Sequence, residues 1–88
     1  MLKENAHESV IRNVANFLKE ERLRQNFSMS ELAKQAGLSQ QMVSYVERRM
    51  RIPTLDTLLR ICRVLKVPLW NIIMKAETSN VEHQIDET

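Results

Sequence analysis

Residues 28–47 read SMSELAKQAGLSQQMVSYVE, and this stretch decides the fold. Ser28 is a natural helix N-cap, and Glu31, three positions on, completes a capping-box pattern ahead of Leu32-Ala33. Ala33 is small and lies four positions before Gly37, where a second helix has to pass close by. Gly37 sits just past the first helix, at a place where a left-handed backbone is cheap only for glycine. Ser39 then offers a second N-cap, and Val43 and Val46, three apart, turn inward from the helix it opens. Gln41, Ser44, Tyr45 and Arg48 fall on the opposite face, with Gln40 at its exposed N-terminal edge. The spacing therefore predicts two short helices joined by a tight turn, the second with an apolar back and a polar front.

That is the layout of a helix-turn-helix, whose second helix fits the major groove of duplex DNA. The order Leu32-Ala33, Gly37, Ser39, Val43 and Val46-Glu47, followed by Pro53, Leu55 and Leu58, resembles the Cro/CI-type (XRE) helix-turn-helix regulators. The resemblance spans roughly Val14 to Met74. It implies an all-α, compact five-helix, lambda-repressor-like domain in which Ala33, Gly37, Val43 and Val46 are structural. It also implies an ion pair between Arg22 and Glu47, which, if partly exposed, is worth only about 0–1 kcal/mol. Three positions depart from the family pattern. Met29 stands where a phosphate-contacting Gln is usual, Arg49 replaces the glycine or asparagine common after the recognition helix, and Pro68 occupies a position where Ser is common. The second departure leaves open where the recognition helix ends.

With 88 residues, one Gly and two Pro, the chain has room for one compact domain, and its composition favours helices over a turn-rich β fold. No apolar run is long enough to cross a membrane, and the opening MLKENAHESV lacks the apolar core of a signal peptide. The single cysteine, Cys62, excludes an internal disulfide framework and suits a reducing cytoplasm. No Cys/His cluster suggests a metal, and no cofactor is expected. Net charge is only +2, but it is unevenly spread. Residues 12–66 hold eleven Lys/Arg against five Asp/Glu, whereas 67–88 hold one Lys against four acids. A basic body with an acidic tail suits a nucleic-acid binder.

Taken in order, residues 1–9 are polar and expected to be flexible, residues 10–74 form the DNA-binding domain, and residues 75–88 form a polar, acidic, flexible tail. Val10, Val14, Phe17 and Leu18 mark one face of a first helix that ends near Asn26, which can take a left-handed C-cap role. Thr54, after Pro53, is the N-cap of a helix whose apolar stripe is Leu55, Leu58, Leu59, Cys62 and Leu65, broadened by Ile61. Pro68 opens a short fifth helix with Leu69, Ile72 and Ile73 inward. Trp70 is either core or subunit interface. Val81 and Ile85, four apart, leave room for a short helix on a partner.

These residues point to a sequence-specific, double-stranded-DNA-binding transcriptional regulator, acting as a repressor. Gln40 and Gln41 can each bond an adenine's N6 and N7, a contact worth roughly 1–3 kcal/mol of discrimination. Ser44 and Tyr45 can reach base edges or phosphate, Ser39 can anchor a phosphate, and Arg48, Arg49 and Arg51 can grip the flanking backbone. One recognition helix reads few base pairs, so the resemblance implies a homodimer on a palindromic operator, formed near Trp70 and Ile73. The alternative is a protein-interaction module, such as an antitoxin-like subunit that docks a protein partner. An enzyme has nothing for it: no nucleophile–base pair, metal set or phosphate-cradling glycine loop stands out.

Overall fold

Side-chain caps open the first four helices. The computed structural model describes residues 5–86, with side chains to residue 79. Five helices follow one another: α1 Ala6–Arg24, α2 Met29–Ala36, α3 Gln40–Glu47, α4 Leu55–Leu65 and α5 Leu69–Asp86. Ser28 and Glu31 form the reciprocal capping box, with Ser28 N–H donating to Glu31 Oε1 (2.9 Å) and Glu31 N–H to Ser28 Oγ (3.0 Å). Ser39 Oγ and Thr54 Oγ1 accept from Met42 N–H and Thr57 N–H in the same way.

Four helices end in one manner. Asn26, Gly37, Arg49 and Lys66 take left-handed backbone angles, with φ of 62°, 71°, 59° and 58°. The next amide in each case donates to the carbonyl five residues back: Phe27 to Arg22, Leu38 to Ala33, Met50 to Tyr45, and Val67 to Cys62. This Schellman pattern satisfies carbonyls the helix leaves orphaned. Only Gly37 reaches it without steric cost, and there a Cβ would also come within 3.1 Å of the Arg60 guanidinium. Arg49 thus does the work of the family's glycine, and α3 ends at Glu47.

The core gathers one face of every helix: Leu18 from α1, Leu32 and Ala33 from α2, Val43 and Val46 from α3, Ile61, Cys62 and Leu65 from α4, and Ile72 and Ala76 from α5. Three expectations are corrected. First, α1 begins at Ala6 rather than near Val10, because Asn5 caps it, its Oδ1 accepting from Glu8 N–H at 2.7 Å. Second, α4 is turned about its axis. Leu55 and Leu59 are exposed, while Thr57 joins Ile61, Cys62 and Leu65 in the interior. Its apolar stripe was broad enough to pack on either edge, and α4 has to cover α2 as well as α1. Third, α5 does not stop at Met74 but runs through the supposed tail to Asp86. Ala76 extends the Leu69, Ile72, Ile73 register by one turn, is fully buried, and its carbonyl accepts from Asn13 Nδ2 of α1 at 3.1 Å. The expectations for residues 1–4 and 87–88, and for the side chains of Val81 and Ile85, lie outside the described residues.

Arg22 and Glu47 are more deeply placed than a surface pair. Arg22 Nε meets Glu47 Oε2 at 2.6 Å and Nη2 meets Oε1 at 3.0 Å, with side-chain exposures of 7% and 4%. Arg22 Nη1 also donates to the Phe27 carbonyl at 2.7 Å. The fork geometry satisfies both partners, and this buried bidentate clamp ties α1 to the end of α3.

Candidate nucleic-acid interface

The site is built on α3, whose eight residues span about 12 Å. Val43, Val46 and Glu47 fix the buried side of this helix. The pinning at both ends, by the Ser39 cap and by the Arg22–Glu47 clamp, sets its rotation as well as its position. Gln40, Gln41 and Arg48 are exposed, and Ser44 and Tyr45 are half-buried, so the predicted reading residues share the outer face. Ser39 is exposed at the N-cap, its hydroxyl already accepting from Met42.

The left-handed turn at Arg49 folds the chain back beneath that face. It leaves Arg48 and Arg49 exposed and carries the Arg51 guanidinium to 4.8 Å from the centroid of the Tyr45 ring. Gln41 Nε2 in turn donates to Tyr45 Oη at 2.5 Å. Cationic side chains therefore cluster at one end of α3 and amide side chains at the other. The first group suits phosphates, and the second suits base edges.

The connection from Gln41 through Tyr45 to Arg51 was not anticipated. The four-residue spacing of Gln41 and Tyr45 signals its first half. Its second half depends on the backbone reversal at Arg49, which no local pattern announces. Met29 is half-buried against the core, so the position that carries a polar phosphate contact in the family is turned inward here.

The remaining candidates stand apart from α3. Trp70 is 66% exposed and Met74 is exposed beside it, which places Trp70 on the surface rather than in the core. With Leu69, Ile73, Glu77 and Thr78 they line an open apolar groove along α5. Cys62 is buried, and burial pushes its thiol up to about 11. Among the described residues no group of His, Cys, Asp and Glu could hold a metal ion, and no helix is long and apolar enough to cross a membrane.

A short helix held by a helix-turn-helix, polar outward and flanked by arginines, defines a DNA-binding domain of the major-groove type. The helix-turn-helix family model HTH_3 matches residues 18–69, and the chain belongs to this XRE-type helix-turn-helix family of DNA-binding transcription regulators. Several solved structures share the fold. The clp gene regulator ClgR from Corynebacterium glutamicum is 19% identical, with 89% of this chain and 83% of that chain covered and a TM-score of 0.76. A point mutant of the restriction–modification controller protein C.Esp1396I is 23% identical, covering 84% and 96%, with a TM-score of 0.74. SinR, a master regulator for biofilm formation crystallised in complex with DNA, is 28% identical, covering 68% and 97%, with a TM-score of 0.64. No curated protein matches the chain at a significant level.

Proposed function

We propose that the protein is a cytoplasmic, sequence-specific repressor that binds a palindromic operator as a homodimer. The observation that carries this reading is the outer face of α3: Gln40, Gln41, Ser44 and Tyr45 stand together in front of a buried back, with Arg48, Arg49 and Arg51 at the C-terminal end. In this arrangement Gln40 and Gln41 read base edges, Ser44 and Ser39 meet phosphate or base edge, and the three arginines hold the backbone. The exposed apolar groove around Trp70 and Ile73 supports a two-fold contact, and a palindromic operator requires a dimer whose recognition helices stand one DNA turn, about 34–36 Å, apart. Repression follows from occupying promoter DNA.

The test is fluorescence anisotropy with a duplex from upstream of the protein's own gene and a shuffled control, at two salt concentrations. Much tighter, salt-dependent binding to the upstream duplex is expected. Equal, weak binding to every duplex selected from a random library would refute sequence-specific recognition. For the dimer, the intrinsic fluorescence of Trp70, the only tryptophan, should shift to the blue as concentration rises across the association range. A Trp70→Glu variant should stay monomeric.

The same groove favours a second reading, a module that docks another polypeptide. Charge reversal at Arg48 and Arg51 separates the two: it abolishes DNA binding but leaves a partner bound at Trp70 in place.

A further inference from the structure

The geometry points to Tyr45 as a positioning residue that makes Gln41 select adenine over guanine, an inference that rests on the DNA-binding reading of α3. The side-chain amide of Gln41 carries two hydrogens and one acceptor oxygen. One hydrogen is committed to Tyr45 Oη at 2.5 Å. What remains, one N–H and Oε1, is the donor–acceptor pair that adenine's N7 and N6 amino group require. Guanine presents two acceptors in the major groove, O6 and N7, and a glutamine would need both of its hydrogens to satisfy them. With one already spent, Gln41 meets guanine with an unpaired acceptor as water leaves the groove, and that is where discrimination arises.

Tyr45 can hold the amide only if it is itself held. Its ring is half-buried on α3, and the Arg51 guanidinium lies 4.8 Å from its centroid. That stacking covers one ring face, so Arg51 has a structural consequence besides any charge it brings to phosphate. Because Gln41 and Tyr45 are one helical turn apart, the contact survives any rigid movement of α3 against the rest of the domain. Closing the site against DNA removes competing water, which strengthens an exposed hydrogen bond of this kind.

The test is selection from a random-sequence duplex library, followed by sequencing, with wild type and the variants Gln41→Ala, Tyr45→Phe and Arg51→Lys. Gln41→Ala identifies the position that Gln41 reads, one per half-site. Tyr45→Phe keeps the ring and its stacking but returns the second hydrogen to Gln41. At that position the preference for adenine over guanine should fall about three- to tenfold, the worth of one hydrogen bond. The melting temperature should stay close to that of wild type, because the ring and its packing on α3 remain. Arg51→Lys keeps the charge but loses the planar stack, and should relax the same position in the same direction. An unchanged adenine preference in Tyr45→Phe, or a Gln41→Ala profile identical to wild type, would overturn the inference while leaving specific binding intact. A wild type that selects no consensus at all would overturn the DNA-reading of α3 itself, and this inference with it.

Discussion

Removing the Glu47 carboxylate should be among the most damaging single changes on this chain. Arg22 makes three hydrogen bonds, two to Glu47 and one to the Phe27 carbonyl, at a site where its side chain is 7% exposed. Glu47→Ala leaves a guanidinium that cannot reach water and has lost its counter-charge. Breaking a buried pair from one side costs about 3–5 kcal/mol. A domain of this length has a total stability of roughly 4–13 kcal/mol, so the change consumes a large share of it. At about 4–8 °C per kcal/mol for a domain of this size, the melting temperature should fall by roughly 12–40 °C. Circular dichroism at 222 nm, followed through heat and urea unfolding, measures this. The paired replacement Arg22→Met with Glu47→Leu is the control. It removes both charges together, and such swaps are often neutral or stabilising, so it should recover most of the loss. A Glu47→Ala variant that melts within a few degrees of wild type would refute the argument, because the guanidinium would then be finding water that the structure denies it. A double variant no better than the single would also refute it, by showing that packing rather than uncompensated charge is at stake.

Arg49→Gly should raise stability, since a left-handed conformation costs an L-residue about 1–2 kcal/mol and glycine returns part of that gain as chain entropy. The same variant should weaken binding to all DNA sequences and lower the slope of log K against log salt by about 0.9, so urea melts and salt titrations should move in opposite senses. Gln40→Ala and Gln41→Ala should relax sequence preference while random-duplex binding survives, whereas Arg48→Ala should weaken cognate and random DNA alike; competition titrations separate the two patterns. The Glu31 carboxyl lies below its usual range because the Ser28 amide and hydroxyl donate to it. A depressed carboxylate stabilises the folded state above its unfolded value, near 4.3, and loses that contribution as pH falls through the folded value. Wild type and Glu31→Gln should therefore differ in melting temperature at pH 7 and converge as the pH falls through the lowered folded value, which melts across a pH series would show.

The resemblance read from Leu32 to Leu58 led to the right family and the right five-helix order, and the α3 face was legible before any coordinates. The base-reading and phosphate-gripping roles of its residues remain for the DNA experiments above to decide. The structure supplies what those experiments need, namely that Gln41, Tyr45 and Arg51 act as one connected group rather than as three separate contacts.

What the sequence determined by itself is whatever depends on a few consecutive residues. Ser28 with Glu31, Ser39 and Thr54 each cap the helix that follows them, because a cap needs only a side-chain oxygen within three residues of an unpaired amide. Gly37 and Asn26 end helices where their tolerance of positive φ allows. Val43 and Val46 face inward because no other arrangement of that short helix hides them. Only tertiary packing decided the rest. A broad apolar stripe on α4 could roll either way, and the neighbours it had to cover chose Thr57 and Ile61 over Leu55 and Leu59. An alanine in a polar run carries no signal, yet Ala76 continues α5 because α1 lies close enough to bury it and to bond its carbonyl. Arg49 and Lys66 adopt glycine-like turns because the helices on either side are already held, and that packing outweighs a local cost of about 1–2 kcal/mol.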